Sequence, residues 1–143
     1  MTDADSDPHN LKRFVDAQAP VIEQVIQELR NGQKTSHWMW FIFPQISGLG
    51  HSDTARFYAI GSRDEAEAYL AHPVLGPRLT ECTRLVLAVT GRSAQAIFGT
   101  IDAAKFRSCM TLFGAIAPDP SLFQKALAKY YDVELDKATL IRL

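Results

Sequence analysis

The stretch that decides the fold is residues 36–45, which reads Ser36-His37-Trp38-Met39-Trp40-Phe41-Ile42-Phe43-Pro44-Gln45. It holds both tryptophans of the chain and two of its eight phenylalanines within six consecutive positions. Large apolar side chains at this density are usually buried, so the segment is predicted to fill the core. Its own conformation stays open at this point. Pro44 favours an extended residue before it, whereas about two helical turns fit upstream.

On both sides of this segment the apolar residues recur at helical spacing. Upstream, Ile22, Val25, Ile26 and Leu29 predict a helix that Asn31-Gly32 ends, because glycine tolerates the left-handed conformation there. The downstream patterns predict helices at 54–60, 62–71, 73 or 77 to 89, 93–98, 100 or 102 to 113, 121–130 and 136–140. Serines 52, 62 and 93 stand at cap positions, and Thr100 or Asp102 can cap the helix that runs to residue 113. Glu65 has capping-box spacing to Ser62.

No stretch alternates polar and apolar residues for long enough to build a sheet, so the predicted fold class is all-α, a single compact multihelical domain. Residues 1–9 are predicted to be a flexible tail, and residues 10–143 the single helical domain. Of the 143 residues 47% are hydrophobic and 22% are charged, which is ordinary globular composition. A chain of this length buries enough surface to fold without a metal or a disulfide.

The charge and cysteine content exclude several classes of protein. A net charge of −1 argues against an extended nucleic-acid surface, which needs a basic surplus. Cys82 and Cys109 lie far apart without Cys-x-x-Cys spacing, so neither a zinc knuckle nor a redox pair is predicted. The acidic N-terminus is unlike a signal peptide, and no apolar run reaches the length of a membrane helix. We therefore expect a cytoplasmic protein with reduced thiols, no cofactor and no membrane contact.

Two polar clusters are candidate sites. The first is the loop Gly48-Leu49-Gly50-His51-Ser52, where free backbone N–H groups before a helix can hold an anion. Ordinary turn chemistry produces the same pattern. The second is the segment 102–108, in which Asp102 and Lys105 have the spacing of a surface ion pair. Alternatively, Lys105 and Arg107 meet the aromatic segment and bind an anionic ligand whose ring stacks on Trp38 or Trp40.

Several motifs together resemble a known family. They are His37-Trp38-Met39-Trp40-Phe41-Ile42-Phe43-Pro44-Gln45 with Gly48-Leu49-Gly50, Tyr69-Leu70-Ala71-His72-Pro73-Val74-Leu75-Gly76, Ile97-Phe98-Gly99, and Lys105-Phe106-Arg107-Ser108-Cys109-Met110-Thr111-Leu112-Phe113. They are similar to domain-of-unknown-function family 1810, a bacterial family often labelled "calpastatin". The resemblance implies one compact, mainly helical domain. The label conflicts with the globular, repeat-free patterning, since a calpain inhibitor is an extended, disordered chain with repeats.

A fainter resemblance links the basic helix 105–113 and the apolar helix after it to the helical N-glycosidases that act on riboside phosphates and ADP-ribose derivatives. This resemblance implies a phosphorylated riboside or ADP-ribose-like ligand. Glu65, Glu67 and Glu81 are the possible counterparts of that family's acidic catalytic residues. The catalytic residue stays unassigned, and whether the protein is an enzyme stays open.

Two functions are therefore predicted as alternatives. In the first, a small anionic nucleotide-like ligand is bound or hydrolysed between the aromatic segment and the Lys105 helix. The candidate ligand-binding residues, none of them a metal ligand, are His37, Trp38, Trp40, Gln45, His51, Ser52, Lys105 and Arg107. In the second, the protein is a non-enzymatic interaction or dimerisation domain, and the aromatic segment contacts a partner or a second copy.

Overall fold

Ten α-helices follow one another along residues 6–143, the part of the chain that the computed structural model describes. They are α1 (Lys12–Gln18), α2 (Ile22–Arg30), α3 (Met39–Ile42), α4 (Asp53–Phe57), α5 (Arg63–Ala71), α6 (Leu75–Ala88), α7 (Ala94–Phe98), α8 (Thr100–Ile116), α9 (Ser121–Tyr131) and α10 (Lys137–Ile141). Within these residues the only extended pairing is one isolated bridge between Ile46 and Ile60. The prediction of an all-α fold is confirmed.

Helix α8 lies at the centre of the fold, with α5, α7, α9 and α10 packed around it. The predicted apolar stripe of Phe106, Cys109, Met110 and Phe113 is fully buried. Burying a Phe or Met side chain of this kind stabilises the folded state by about 1.5–3 kcal/mol. Because α8 is packed at the centre, the side chains outside its buried stripe, including Asp102 and Lys105, project from a rigid helix.

The aromatic segment fills the core as predicted. Helix α3 is a single turn, and Phe43 after it has φ −124° and ψ 72°, an extended conformation compatible with Pro44. Trp38 and Phe43 are each 1% exposed, and the ring of Phe43 meets that of Phe106 edge-on at 4.9 Å. One helical turn followed by an extended residue is thus the conformation that the sequence left open.

The described residues just before α1 are tied to that helix. Residues 1–5 of the predicted tail lie outside the described part of the chain. Among the residues after them, the Asp7 carboxylate accepts the backbone N–H groups of Leu11 at 2.8 Å and Lys12 at 3.0 Å. Residues 7–10 therefore form a turn that caps α1, because the first N–H groups of a helix have no partner within it.

Most predicted helix ends are present, and the exceptions have tertiary causes. Ser52, Ser62 and Ser93 each cap their helix through the side-chain oxygen. The capping box at Ser62 is incomplete, since Glu65 bonds the N–H of Gly61 instead and pairs with Arg13 at 2.7 Å.

The end of α4 and the cap of α8 differ from the prediction. Helix α4 ends at Phe57 rather than at residue 60. The backbone N–H of Ile60 donates to the carbonyl of Gln45 at 2.9 Å, so it is not available to extend the helix. Helix α8 begins after Gly99 without a side-chain cap, so the predicted cap at Thr100 or Asp102 is wrong.

None of the helices in residues 6–143 combines the length and the apolar character that crossing a bilayer requires.

Candidate functional site

The loop that leads into the aromatic segment is organised by the carboxylate of Glu28. Its Oε1 accepts the N–H of Thr35 at 2.7 Å and that of Ser36 at 3.0 Å, together with the indole N–H of Trp38 at 3.0 Å. Burial raises the pKa of Glu28, but these hydrogen bonds and that of the Ser36 hydroxyl outweigh it and lower the pKa to about 2. An ionised, buried carboxylate therefore holds Trp38 in place.

Lys34 leaves the same loop and reaches the start of α8. Its backbone N–H donates to the carbonyl of Ile97 at 2.8 Å. Its Nζ lies 5.1 Å from the ring centroid of Trp38 and 2.8 Å from Oδ2 of Asp102, and its side chain is 7% exposed. The ammonium is thus paired with both an aromatic face and a carboxylate, away from water.

Lys105 repeats this arrangement nearer the surface. Its Nζ lies 5.2 Å from the ring centroid of Trp40 and 3.6 Å from Oδ1 of Asp102, and its side chain is 23% exposed. Asp102 therefore stands between two lysines, each placed over a tryptophan. We call Lys34, Trp38, Trp40, Asp102 and Lys105 the lysine–tryptophan cluster; it carries two positive charges against one negative charge.

Beside Trp40 there is a narrow crevice rather than an open pocket. It is lined by Trp40, Gln45, Ile46, Gly50, Ala55, Tyr58 and Ala59 and has a volume of about 10 Å³. A space of that size holds one water molecule at most. A ring that stacks on Trp40 must therefore lie against its exposed part, outside the crevice.

The glycines of the Gly48-Leu49-Gly50 loop are explained by backbone conformation and by packing. Gly48 has φ +102°, which glycine adopts without strain. A Cβ on Gly50 would lie 2.6 Å from that of Ala55, so packing requires glycine there.

Residues 8–143 match the model of a family described as "Protein of unknown function (DUF1810)". The chain belongs to this family. The predicted family resemblance is therefore confirmed over almost the whole chain. The family description assigns no activity to its members.

A solved structure shares both sequence and fold with this family member. It is the crystal structure of the conserved hypothetical protein Rv1873 from Mycobacterium tuberculosis at 1.38 Å, which is 53% identical. The match covers 96% of this chain and 98% of that one, with a TM-score of 0.95. No curated protein is significantly similar to the chain. None of these comparisons points to an N-glycosidase.

The predicted site residues fall into three groups. Trp40 and Lys105 lie together, and Gln45 lines the crevice beside Trp40. His37 and His51 are both exposed, one directly before Trp38 in the sequence and the other directly after Gly50.

Trp38, Ser52 and Arg107 have structural partners of their own. The indole of Trp38 is in the core, hydrogen-bonded to Glu28. The hydroxyl of Ser52 accepts the N–H of Ala55 at 3.1 Å, which occupies one of the donors that an anion would need. Arg107 of α8 donates to the backbone carbonyls of Glu134 and Leu135 at 2.9 and 2.8 Å, in the segment after α9 and not beside Trp40.

Of the three glutamates considered as catalytic counterparts, none lines the crevice beside Trp40. Glu65 pairs with Arg13, and the exposed Glu67 pairs with Arg63 at 3.0 Å on its own helix. Glu81 lines a groove of about 680 Å³ between α6 and the start of α9. Asp102 is the carboxylate of the cluster, and sequence reasoning assigned it only a cap and an ion pair.

The thiols and the metal-ligand types provide no alternative site. Burial raises the pKa of Cys82 to about 12 and raises that of Cys109 as well, so neither thiol is poised as a nucleophile. Within residues 6–143 no three His, Cys, Asp or Glu side chains are grouped as metal ligands would be.

Proposed function

We propose that the protein binds a small anionic, nucleotide-like ligand, of the phosphorylated riboside or ADP-ribose type, on the surface where Lys105 lies over Trp40. The observation that carries the proposal is the unequal sharing of Asp102 between two lysines. Its carboxylate lies 2.8 Å from Lys34 and 3.6 Å from Lys105. Coulomb attraction falls with distance, so Lys34 takes the larger share of that negative charge. Lys105 is left with positive charge to offer an incoming anion.

The position of Lys105 suits a ligand that has both a phosphate and a ring. Trp40 is half-buried, and its neighbour Met39 is 2% exposed, so the backbone that carries the indole is anchored in the core. Stacking a base on such a ring contributes about 1–3 kcal/mol. The phosphate would then contact Lys105, and the amide of Gln45, which lines the crevice beside Trp40, would provide a further donor.

Hydrolysis of the bound riboside is the finer part of the proposal and depends on Asp102. Cleaving a ribosyl bond builds positive charge on the sugar, which a nearby carboxylate stabilises. Asp102 is the carboxylate of the cluster, held between the two ammonium groups. The expected result is that Asp102→Asn retains ligand binding but no longer releases the base, as measured by chromatography of the reaction products.

Binding is tested by thermal unfolding and calorimetric titration with AMP, ADP-ribose, ribose 5-phosphate and inorganic phosphate. A ligand at about a hundred times its dissociation constant stabilises the folded protein by about 2.7 kcal/mol, which raises Tm by several degrees. We expect a shift with AMP or ADP-ribose that exceeds the shift with phosphate. Lys105→Ala and Trp40→Ala should each abolish the difference.

The matched control is Lys12→Ala, which removes a lysine whose side chain is 74% exposed and pairs with Asp16 on its own helix. This variant should bind as the unmodified protein does. Unchanged binding in folded Lys105→Ala would contradict the proposal, and so would equal losses in the two lysine variants.

A second candidate, a non-enzymatic interaction domain, is favoured by one observation on the same face. Ile101 is 75% exposed and lies one turn before Lys105 on α8. Because Trp38 and Phe43 are buried, a partner surface here would consist of Trp40 and Ile101 rather than the whole aromatic segment. No ligand shift, combined with partner binding that Ile101→Asp abolishes, would favour this function over ligand binding.

A further inference from the structure

A second surface lies where helix α9 ends. The residues after Tyr131 run Asp132-Val133-Glu134-Leu135, and two of them are exposed apolar side chains, Val133 at 67% and Leu135 at 43%. They border a mainly apolar depression of about 560 Å³ whose other walls include Gln124, Lys125, Leu127 and Ala128. Apolar groups that project beside an apolar depression are a recurrent feature of association surfaces.

The backbone at this point is strained in a way that the turn does not require. Asp132 has φ +53° and Val133 has φ +58°. Aspartate tolerates this region, but a β-branched side chain is a genuine outlier there. The N–H of Val133 closes the end of α9 on the carbonyl of Leu127 at 3.0 Å, which glycine or asparagine would do equally well. The turn alone therefore gives no reason for valine.

The strained segment is nevertheless held firmly in place. Arg107, on the central helix α8, donates to the carbonyls of Glu134 at 2.9 Å and Leu135 at 2.8 Å. Its guanidinium also lies 3.4 Å from the carboxylate of Glu134. Val133 and Leu135 are thus presented in fixed positions, which lowers the entropy lost when a partner binds.

We propose that this surface, the Val133 patch (Lys125, Leu127, Ala128, Val133, Glu134 and Leu135), is where two copies of this chain associate about a two-fold axis. An isologous contact needs a surface that complements itself. The patch provides both the projecting side chains and the apolar depression that receives them. It also provides a cation, Lys125, and a 73% exposed carboxylate on Glu134. In the proposed dimer Lys125 of one copy lies opposite Glu134 of the other, and the two-fold axis then repeats this contact on the other side.

Sedimentation velocity across about 1 to 500 μM tests the proposal, since so small a patch gives a weak, reversible dimer. The mass of the unmodified protein should rise towards twice its monomer value. Val133→Asp should weaken association at least about tenfold, because burying a valine is worth that factor or more. Phe57→Asp, at a 56% exposed phenylalanine on α4, is the matched control outside the patch and should leave association unchanged.

Val133→Gly separates association from local stability. Removing the β-branched side chain relieves the strain, so Tm should rise while the dimer weakens. A purely local role of Val133 would change Tm without changing the mass distribution.

A charge exchange tests the two-fold arrangement. Lys125→Glu and Glu134→Lys should each weaken self-association, because like charges then face each other at both contacts. An equimolar mixture of the two variants should associate again, since each introduced charge then meets its opposite. A monomer at every concentration would overturn the proposal. Undiminished association of Val133→Asp, or a mixture no stronger than its components, would overturn it equally.

Discussion

Trp38 and Trp40 are two residues apart, and each has a lysine ammonium over its ring, at 5.1 and 5.2 Å. The polar groups around Trp38 all have partners. Its indole N–H donates to Glu28, the lysine over its ring is paired with Asp102, and Trp38 itself is 1% exposed. Trp40 is half-buried, and its lysine has only the longer contact to Asp102. The comparison teaches that the same lysine–tryptophan contact can be fully paired and buried or only partly paired and near the surface; in the proposed function, the second of these is the one that meets the ligand.

The largest expected difference between the two sites is in stability. Trp38→Ala should lower the free energy of unfolding by about 3–5 kcal/mol, the usual loss for a fully buried large aromatic side chain. Trp40→Ala should lower it by about 1–2 kcal/mol, because part of that ring is already in water. Urea denaturation of both variants measures the difference. Similar losses in the two variants would remove the distinction between a closed and an open site.

The closed site should also be sensitive to acid. The pKa of Glu28 falls from 4.5 to about 2 on folding, so its stabilising contribution is complete above pH 4.5 and is lost as the pH falls towards 2. A shift of this size corresponds to about 3 kcal/mol. Glu28→Gln should lose most of that free energy at neutral pH and show a flatter decline in acid. Unfolding curves of both proteins, measured from neutral pH to pH 2, check this prediction. A parallel fall of the free energy of unfolding in the two proteins would contradict it.

Removing Lys34 should also cost more unfolding free energy than removing Lys105, although the difference should be smaller than that between the two tryptophan variants. Lys34→Ala removes the partner of a carboxylate in a site that is mostly closed to water and should lower the free energy of unfolding by about 2 kcal/mol. Lys105→Ala removes a longer, more exposed contact and should lower it by about 0.5 kcal/mol. Only the second variant should retain native stability while losing ligand binding. Calorimetry of the two variants side by side measures both effects.

The smallest effect is spectroscopic. In Trp40→Phe the remaining indole is Trp38, whose fluorescence should resist quenching by acrylamide because it is buried. In Trp38→Phe the remaining indole is Trp40, which should be quenched by acrylamide and also respond to AMP if the proposed site is correct. Equal quenching in the two variants would contradict the conclusion that Trp38 is buried and Trp40 is partly exposed.

Local signals predicted much of the fold. The end of α2 at Asn31-Gly32 and the serine caps at 52, 62 and 93 are all present, because a helix end depends mainly on its nearest residues. The apolar stripes also identified most of the core, although Ile22 and Ile26 of the α2 stripe are only partly buried.

Predictions failed where a distant residue competed for a local partner. Thr100 or Asp102 was expected to cap α8, and Asp102 to pair with Lys105. The pair is present, but neither side chain caps the helix, and the Asp102 carboxylate also pairs with Lys34. Glu65 was expected to complete a capping box, but Arg13 holds it from α1. Such competition is invisible in a window of neighbouring residues, because the competitor is brought near only by packing.

The candidate site divides in the same way. Proximity of Lys105 to the aromatic segment was predicted from residue type, since cations and aromatic rings attract. Which tryptophan it meets was not, and Arg107, two residues further along the helix, turns to the loop after α9 instead. Lys34 was not considered, as nothing near it in the sequence marks it as a partner of Asp102.

By itself the sequence determined that this protein is all-α, which residues make its core, and where most of its helices end. These properties depend on residue type and short-range spacing. Only the tertiary structure decided that Trp38 is buried, that Trp40 is half-buried, and that the Asp102 carboxylate is shared unequally between Lys34 and Lys105. The reason is physical: periodicity says which face of a helix is buried, but the neighbour it meets depends on how all ten helices pack at once.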